Sequence, residues 1–238
     1  MSSVRLTSLA TFLRDAGLQV VEEPGWKARG NPLPGMPDTI VVHHTATSDR
    51  APGDLPTRRL LIEGRSDLPG PLCQIALSRA GVVHLVSSGK ANHAGKGVWK
   101  GQSSSGYTVG VEAENDGSGR PWPVKQLDAY ERLCAALCRY LNVGADRVCG
   151  HREWALPRGR KTDPAGIDMD AFRDRVRSHL TSQEGDDDMT PEQARKQDEI
   201  HQMLTQLTAP RRADKSDADP KHLSLADVYT LVEKVLTK

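Results

Sequence analysis

Cysteine is scarce: four residues among 238, at positions 73, 134, 138 and 149. Cys134 and Cys138 stand one helical turn apart in an amphipathic stretch, Cys73 and Cys149 lie near strand-like segments, and no spacing pairs them. That excludes a disulfide framework and suits a chain folded in a reducing cytosol, with thiols acting as small core hydrophobes. Aromatic residues are also few, at 4%. Without a basic run or an aromatic-rich platform, no nucleic-acid partner is expected. Long hydrophobic runs are missing too. The N-terminal stretch, Met1 to Gln19, carries Arg5 and then an amphipathic pattern broken by Arg14 and Asp15. It lacks the uninterrupted apolar region of a signal peptide, and no segment is long enough for membrane insertion.

Net charge is only +1, unevenly placed. From residue 181 onward there are 8 Lys+Arg against 12 Asp+Glu, which leaves 24 against 19, or +5, for the body. A mildly basic body suits an anionic polymer as partner, faintly.

The body carries short polar motifs with chemical content. Val41-Val42-His43-His44-Thr45 ends an apolar run. Far downstream come Gly150-His151-Arg152-Glu153-Trp154 and Arg160-Lys161-Thr162-Asp163-Pro164. Two histidines and a carboxylate can close three corners of a tetrahedron around Zn2+ and leave the fourth for water, the ligand count of a catalytic site. Lys161 sets a positive charge where an oxyanion would form, although a salt bridge to Asp163 or Glu153 is the plainer use for it. These motifs describe a zinc hydrolase. Side chains alternate along a strand, so only one of His43 and His44 can readily be a ligand. Cys149 is a rival third ligand without motif support. A base for the water should be a carboxylate near the metal; Glu112 and Glu114 share a strand face, and solvated surface acids are the bland alternative.

Periodicity predicts the elements. Leu6, Leu9, Phe12 and Leu13 trace a first helix to Ala16; Gln19 to Val21 is a short edge strand. Thr39 to His44 is apolar on both faces, a strand covered on both sides. Arg58 to Glu63 forms a helix, and Leu72 to Leu77 with Val82 to Val86 forms a hairpin-like pair. Tyr107 to Ala113 is another strand. Leu127, Tyr130, Leu133, Cys134, Leu137, Cys138 and Leu141 mark a long helix. Asp168 caps a last body helix through Leu180. The domain is thus α/β over residues 1–180. An acidic linker follows at 181–190. A two-helix module at 191–238 is too small to stand alone, and is expected to self-associate (a homo-oligomer) or to target the chain to a partner polymer.

Five motifs in order, roughly from Asp38 to Asp170, carry a family resemblance: His43-His44-Thr45-Ala46-Thr47, Ala91-Asn92-His93-Ala94-Gly95, Val109 to Gly117 with its Glu-Asn-Asp-Gly, and the Gly-His-Arg-Glu-Trp and Arg-Lys-Thr-Asp-Pro segments. Together they resemble the zinc-dependent N-acetylmuramoyl-L-alanine amidases, whose fold is shared with peptidoglycan recognition proteins and many bacteriophage endolysins. The wording looks closest to endolysins of phages that infect actinobacteria. The resemblance implies a central mixed β-sheet flanked by helices and a peptidoglycan substrate. It implies zinc ligands at His43, His151 and Asp163, where many relatives have cysteine at the last position. It places Glu112 as the catalytic carboxylate, with Lys161 beside it, and puts Asn92 and His93 in a substrate-contacting loop; a turn held by Asn92 is the structural alternative. Trp99 or Trp122 would stack on a sugar, with buried packing as the alternative. Many relatives assist with a tyrosine where this chain has Cys73; Tyr107 could enter from another strand. An endolysin would be made in the host cytoplasm and reach the wall after holin-assisted release. The rival readings are a non-catalytic peptidoglycan-binding module and a bacterial wall-recycling amidase.

Overall fold

The computed structural model describes residues 3–182. The expected acidic linker from residue 183 on and the two-helix module at 191–238 lie outside the described residues.

In chain order the body runs α1 (Leu9–Asp15), β1 (Val20–Glu22), β2 (Thr39–His44), α2 (Arg58–Glu63), β3 (Gly64–Arg65), β4 (Leu68–Pro69), β5 (Ile75–Leu77) and β6 (Val83–Leu85). It continues with β7 (Thr108–Ala113), α3 (Val124–Leu141), β8 (Val148–Gly150), α4 (His151–Trp154) and α5 (Met169–Ser182). Six strands form one mixed sheet in the order β1-β6-β5-β7-β2-β8, in which only β5 and β6 pair antiparallel. This is the expected mixed sheet flanked by helices.

The central strand β2 shows why. Its residues are buried from Thr39 to His43. Ile40 and Val42 enter the large core with Leu9 and Leu13 of α1, Leu133 and Leu137 of α3, and Phe172 and Val176 of α5. Val41 points the other way and packs with Ala94, Cys149 and Trp154. A third cluster, Leu61, Leu72, Cys73, Ala76 and Val86, seats α2. Both faces are covered, which is what a strand without polar alternation requires.

Several boundaries differ from the sequence expectation. The first helix begins at Leu9; Leu6 instead donates its N–H to Ser88 O at 2.9 Å. The hairpin-like pair is antiparallel as expected but shorter at both strands. The small β3–β4 ladder and the single turn of α4 had no periodic signal. Asp168 caps α5 as expected, its Oδ1 accepting from the N–H groups of Asp170 and Ala171. All four cysteines are buried thiols. Among the described residues, no helix is long and apolar enough to cross a membrane.

Candidate metal centre and catalytic cleft

Parallel pairing brings the motifs together. In β2 and β7, His43 lies opposite Glu112; in β2 and β8, Val42 lies opposite Gly150, so His151 emerges beside His43. The three strands end at one edge of the sheet, where open α/β sheets present their ligand sites.

There His43 Nδ1 lies 2.9 Å and His151 Nδ1 3.0 Å from the same Asp163 Oδ2. All three residues are buried, and their ligand atoms fall within 4.8 Å of one another. His151 Nε2 sits 3.0 Å from Ala94 O. A carbonyl oxygen only accepts, so Nε2 carries the proton and a neutral His151 turns the lone pair of Nδ1 on the Asp163 carboxylate. Two acceptors face each other at hydrogen-bond distance, an arrangement a cation resolves. The donor set, two imidazoles and one carboxylate, suits zinc. Burial pushes the His43 imidazole down to about 4, against the pull of the Asp163 carboxylate.

The sequence motifs prove to be cross-ties that hold this trio. Glu153 accepts from Gly150 N–H at 2.8 Å and is clamped by Arg173 at 2.9 and 3.1 Å, fixing the turn that presents His151. Arg152 donates its N–H to Asp163 O at 2.8 Å and its guanidinium to the carbonyls of Pro164 and Ile167. His44, on the opposite face from His43, accepts from Ala165 N–H at 3.0 Å, and Trp122 donates to Ala165 O at 2.8 Å. His44 and Trp122 are therefore packing and positioning groups, the plainer of the readings open for each. Tyr130, which the sequence offers only as part of an apolar stripe, sets its hydroxyl 3.0 Å from His43 N and O and 2.9 Å from Val111 O.

Glu112 lies beside the trio, its Oε1 3.8 Å from His43 Nδ1, and its buried Oε2 has no hydrogen-bond partner. Burial first, and the Asp163 charge second, push its carboxyl well above the usual range. Glu114, the alternative, is committed to structure: it accepts from Thr45 Oγ1 at 3.1 Å and from both the N–H (3.2 Å) and hydroxyl of Thr57. Lys161 is exposed on the cleft wall, and the carboxylate of Glu153 is paired with Arg173. Cys149 belongs to the cluster of Val41 and Trp154, where burial pushes its thiol well up from its ordinary value, and it is not part of the group formed by His43, His151 and Asp163.

The cleft, about 370 Å³, is lined by the apolar Leu60, Leu61, Leu68 and Leu72 and by the cationic Arg65, Arg160 and Lys161. Asn92 and His93 line it. Asn92 also holds a turn, its Nδ2 donating to Pro69 O at 3.0 Å, so both readings of that residue coexist. Trp99 does not line this cleft or the adjoining hollow: its Nε1 donates to Asp146 O at 2.9 Å, and Arg173 lies 5.4 Å from its ring. Cys73 is buried, its thiol pushed well above its ordinary value by burial and by the nearby Glu112. Tyr107 packs against Gly35, away from the cleft.

Two histidines and an aspartate that could hold a metal ion, with a partnerless carboxyl beside them, are the equipment of a hydrolase. Residues 32–166, more than half of the chain, match the family described as N-acetylmuramoyl-L-alanine amidase, and the chain belongs to that family. Among solved structures it is similar to a selenomethionine derivative of AmpD, with 22% identity over 67% of this chain and 94% of that chain and a TM-score of 0.50. It is also similar to the endolysin LysCS, an N-acetylmuramoyl-L-alanine amidase from Clostridium intestinale (16% identity, 66% and 95% covered, TM-score 0.47). A third is Drosophila PGRP-LB (16% identity, 69% and 94% covered, TM-score 0.47). Curated protein sequences yield no match.

Proposed function

We propose that this amidase is a zinc enzyme of bacteriophage endolysin type. It hydrolyses the amide between the lactyl group of N-acetylmuramic acid and L-alanine in peptidoglycan. The observation that carries the reading is the trio of His43, His151 and Asp163 beside the unpartnered Glu112 oxygen. The three residues would hold zinc, which supplies Lewis-acid polarisation and makes water a nucleophile near neutral pH.

This chain's own groups do the rest. Glu112 accepts the proton of the attacking water on Oε2 and returns it to the leaving nitrogen of alanine; its raised carboxyl value suits a group that must work in both directions. The Lys161 ammonium stabilises the oxygen on which negative charge grows. Asn92 orients the peptide beside the scissile bond, with the His93 ring forming part of the surface it lies against, and the cationic Arg65 and Arg160 suit an anionic stem peptide. Water adds hydroxyl to the carbonyl carbon and hydrogen to the amine, so the products are a free lactyl carboxylate and a free alanine amino terminus. The endolysin assignment rests on the wording of the motifs.

Mass spectrometry of purified peptidoglycan digested by the full chain tests the bond: peptides beginning with L-alanine and unmodified glycan are expected. New reducing sugar ends, or cuts within the peptide, would sink the reading. Chelation should abolish release and zinc restore it, while His151→Ala loses both metal and turnover. Lysis of host cells only when the membrane is permeabilised from within supports the phage role; turnover confined to soluble wall fragments favours a recycling amidase.

A further inference from the structure

His93 lines the cleft, yet both of its ring nitrogens are already engaged with protein. Nδ1 lies 3.1 Å from His43 Nε2, and Nε2 lies 3.0 Å from Thr108 Oγ1. The two imidazoles meet edge to face, 89° apart, with centroids at 5.3 Å. Thr108, Gly110 and Glu112 share one face of β7, since Val109, Val111 and Ala113 enter the core on the other. Gly110 makes the approach of His93 feasible: a Cβ there would lie 2.4 Å from the imidazole Cγ.

The direction of the hydrogen bonds follows from the far end of the chain of contacts. Thr108 Oγ1 is 2.9 Å from Ser105 O. A carbonyl oxygen cannot donate, so the hydroxyl proton belongs on that contact. Thr108 Oγ1 is then the acceptor toward His93, and His93 Nε2 carries a proton. A neutral imidazole has one N–H, so His93 Nδ1 accepts from His43 Nε2–H. His43 is thereby left with its lone pair on Nδ1, the atom 2.9 Å from Asp163 Oδ2. His151 reaches the same state independently through Ala94 O. Both imidazoles present lone pairs to one point.

We infer that His93 is a positioning residue for the metal: with Thr108 behind it, it sets the tautomer and ring orientation of His43. The inference rests on the zinc reading above. Outer hydrogen-bond partners of metal-ligating histidines typically change affinity by about 10–100-fold when removed.

Zinc dissociation constants measured by chelator competition on the full chain test it, with melting of the metal-free proteins as the folding control. His93→Leu should weaken zinc by about 10–100-fold. His93→Asn, whose carboxamide oxygen can accept from His43 Nε2–H, should recover most of the loss. Thr108→Val, which keeps the shape and removes the acceptor, should weaken zinc by a smaller factor, and it carries the test if His93→Leu does not fold. Long-range proton–nitrogen NMR of the zinc-loaded wild type should show His43 protonated at Nε2 and metallated at Nδ1. Unchanged affinity in His93→Leu, or in Thr108→Val where it must stand in, overturns the inference alone, as does metallation at Nε2. A wild type that binds no zinc overturns it together with the zinc reading.

Discussion

Glu112, inside β7, and Glu114, just past its end, stand two residues apart, and their surroundings differ in what each offers a negative charge. At Glu114, Thr45 and Thr57 supply hydroxyls and a backbone N–H, and Gln126 donates to its carbonyl at 2.7 Å. At Glu112 one oxygen has no partner, and the neighbours are imidazoles, a thiol, the Asp163 carboxylate and the Lys161 ammonium, whose charge does not outweigh burial. The first arrangement stabilises the ionised form and ties the loop before α2 to the sheet. The second leaves a buried carboxyl undersatisfied, which costs stability and suits a group that must gain and lose a proton.

The contrast can be broken by exchanging the observables. Glu112→Gln should lower kcat by about 10²–10⁴-fold while zinc content and melting stay near wild type. Lys161→Ala should fall next, about 10²-fold in kcat, with the metal retained. Glu114→Gln should do the reverse: kcat for the folded fraction is kept, and stability drops by about 2 kcal/mol, roughly 4–8 °C in Tm, because a carboxamide cannot accept from Thr57 and Thr45 together. Calorimetry paired with steady-state rates decides it; a crippled but stable Glu114→Gln would exchange the two roles.

Glu131, on α3 and not part of the cleft lining, sharpens the comparison. It too is buried, with Arg175 3.6 Å away, and burial pushes its carboxyl from 4.5 up to about 6. A carboxyl with a folded value above its unfolded one contributes stability at low pH that is lost as pH rises from about 4.5 to 6. Glu131→Gln should therefore exceed wild type by about 1–2 kcal/mol above that window and converge with it below, with turnover unchanged. A pH series of denaturant melts reads this directly. A raised carboxyl value alone does not make a site; proximity to His43, His151 and Asp163 does.

Much of this was legible in the residues. The two-faced burial of β2, the opposite directions of His43 and His44, the stripe of α3 and the Asp168 cap follow from local periodicity and capping chemistry. The order β1-β6-β5-β7-β2-β8 did not, because parallel pairing joins segments tens of residues apart. For the same reason Glu114 stayed open as the alternative to Glu112: Thr57, which satisfies it, is 57 residues away. Trp99 looked like a sugar platform because its loop flanks the cleft, yet its indole is taken up by Asp146 O. Tyr130 was hidden in an apolar stripe, since periodicity reports a ring and not a hydroxyl. For His93 one signal existed. A glycine inside a strand marks a close approach of something else, and Gly110 is such a glycine.

Gly110 also limits how this sequence can drift. A strand interior ordinarily rewards a β-branched residue over glycine. At 110 any added carbon would displace the His93 ring rather than fill space, since the nearest imidazole atoms would lie 2.4 to 2.7 Å away. In a saturation library, selection for folding alone would tolerate small residues at 110 wherever His93 can swing aside. Selection for metal retention would not. The two screens, run on the same library, should agree over most of β7 and part company at this position.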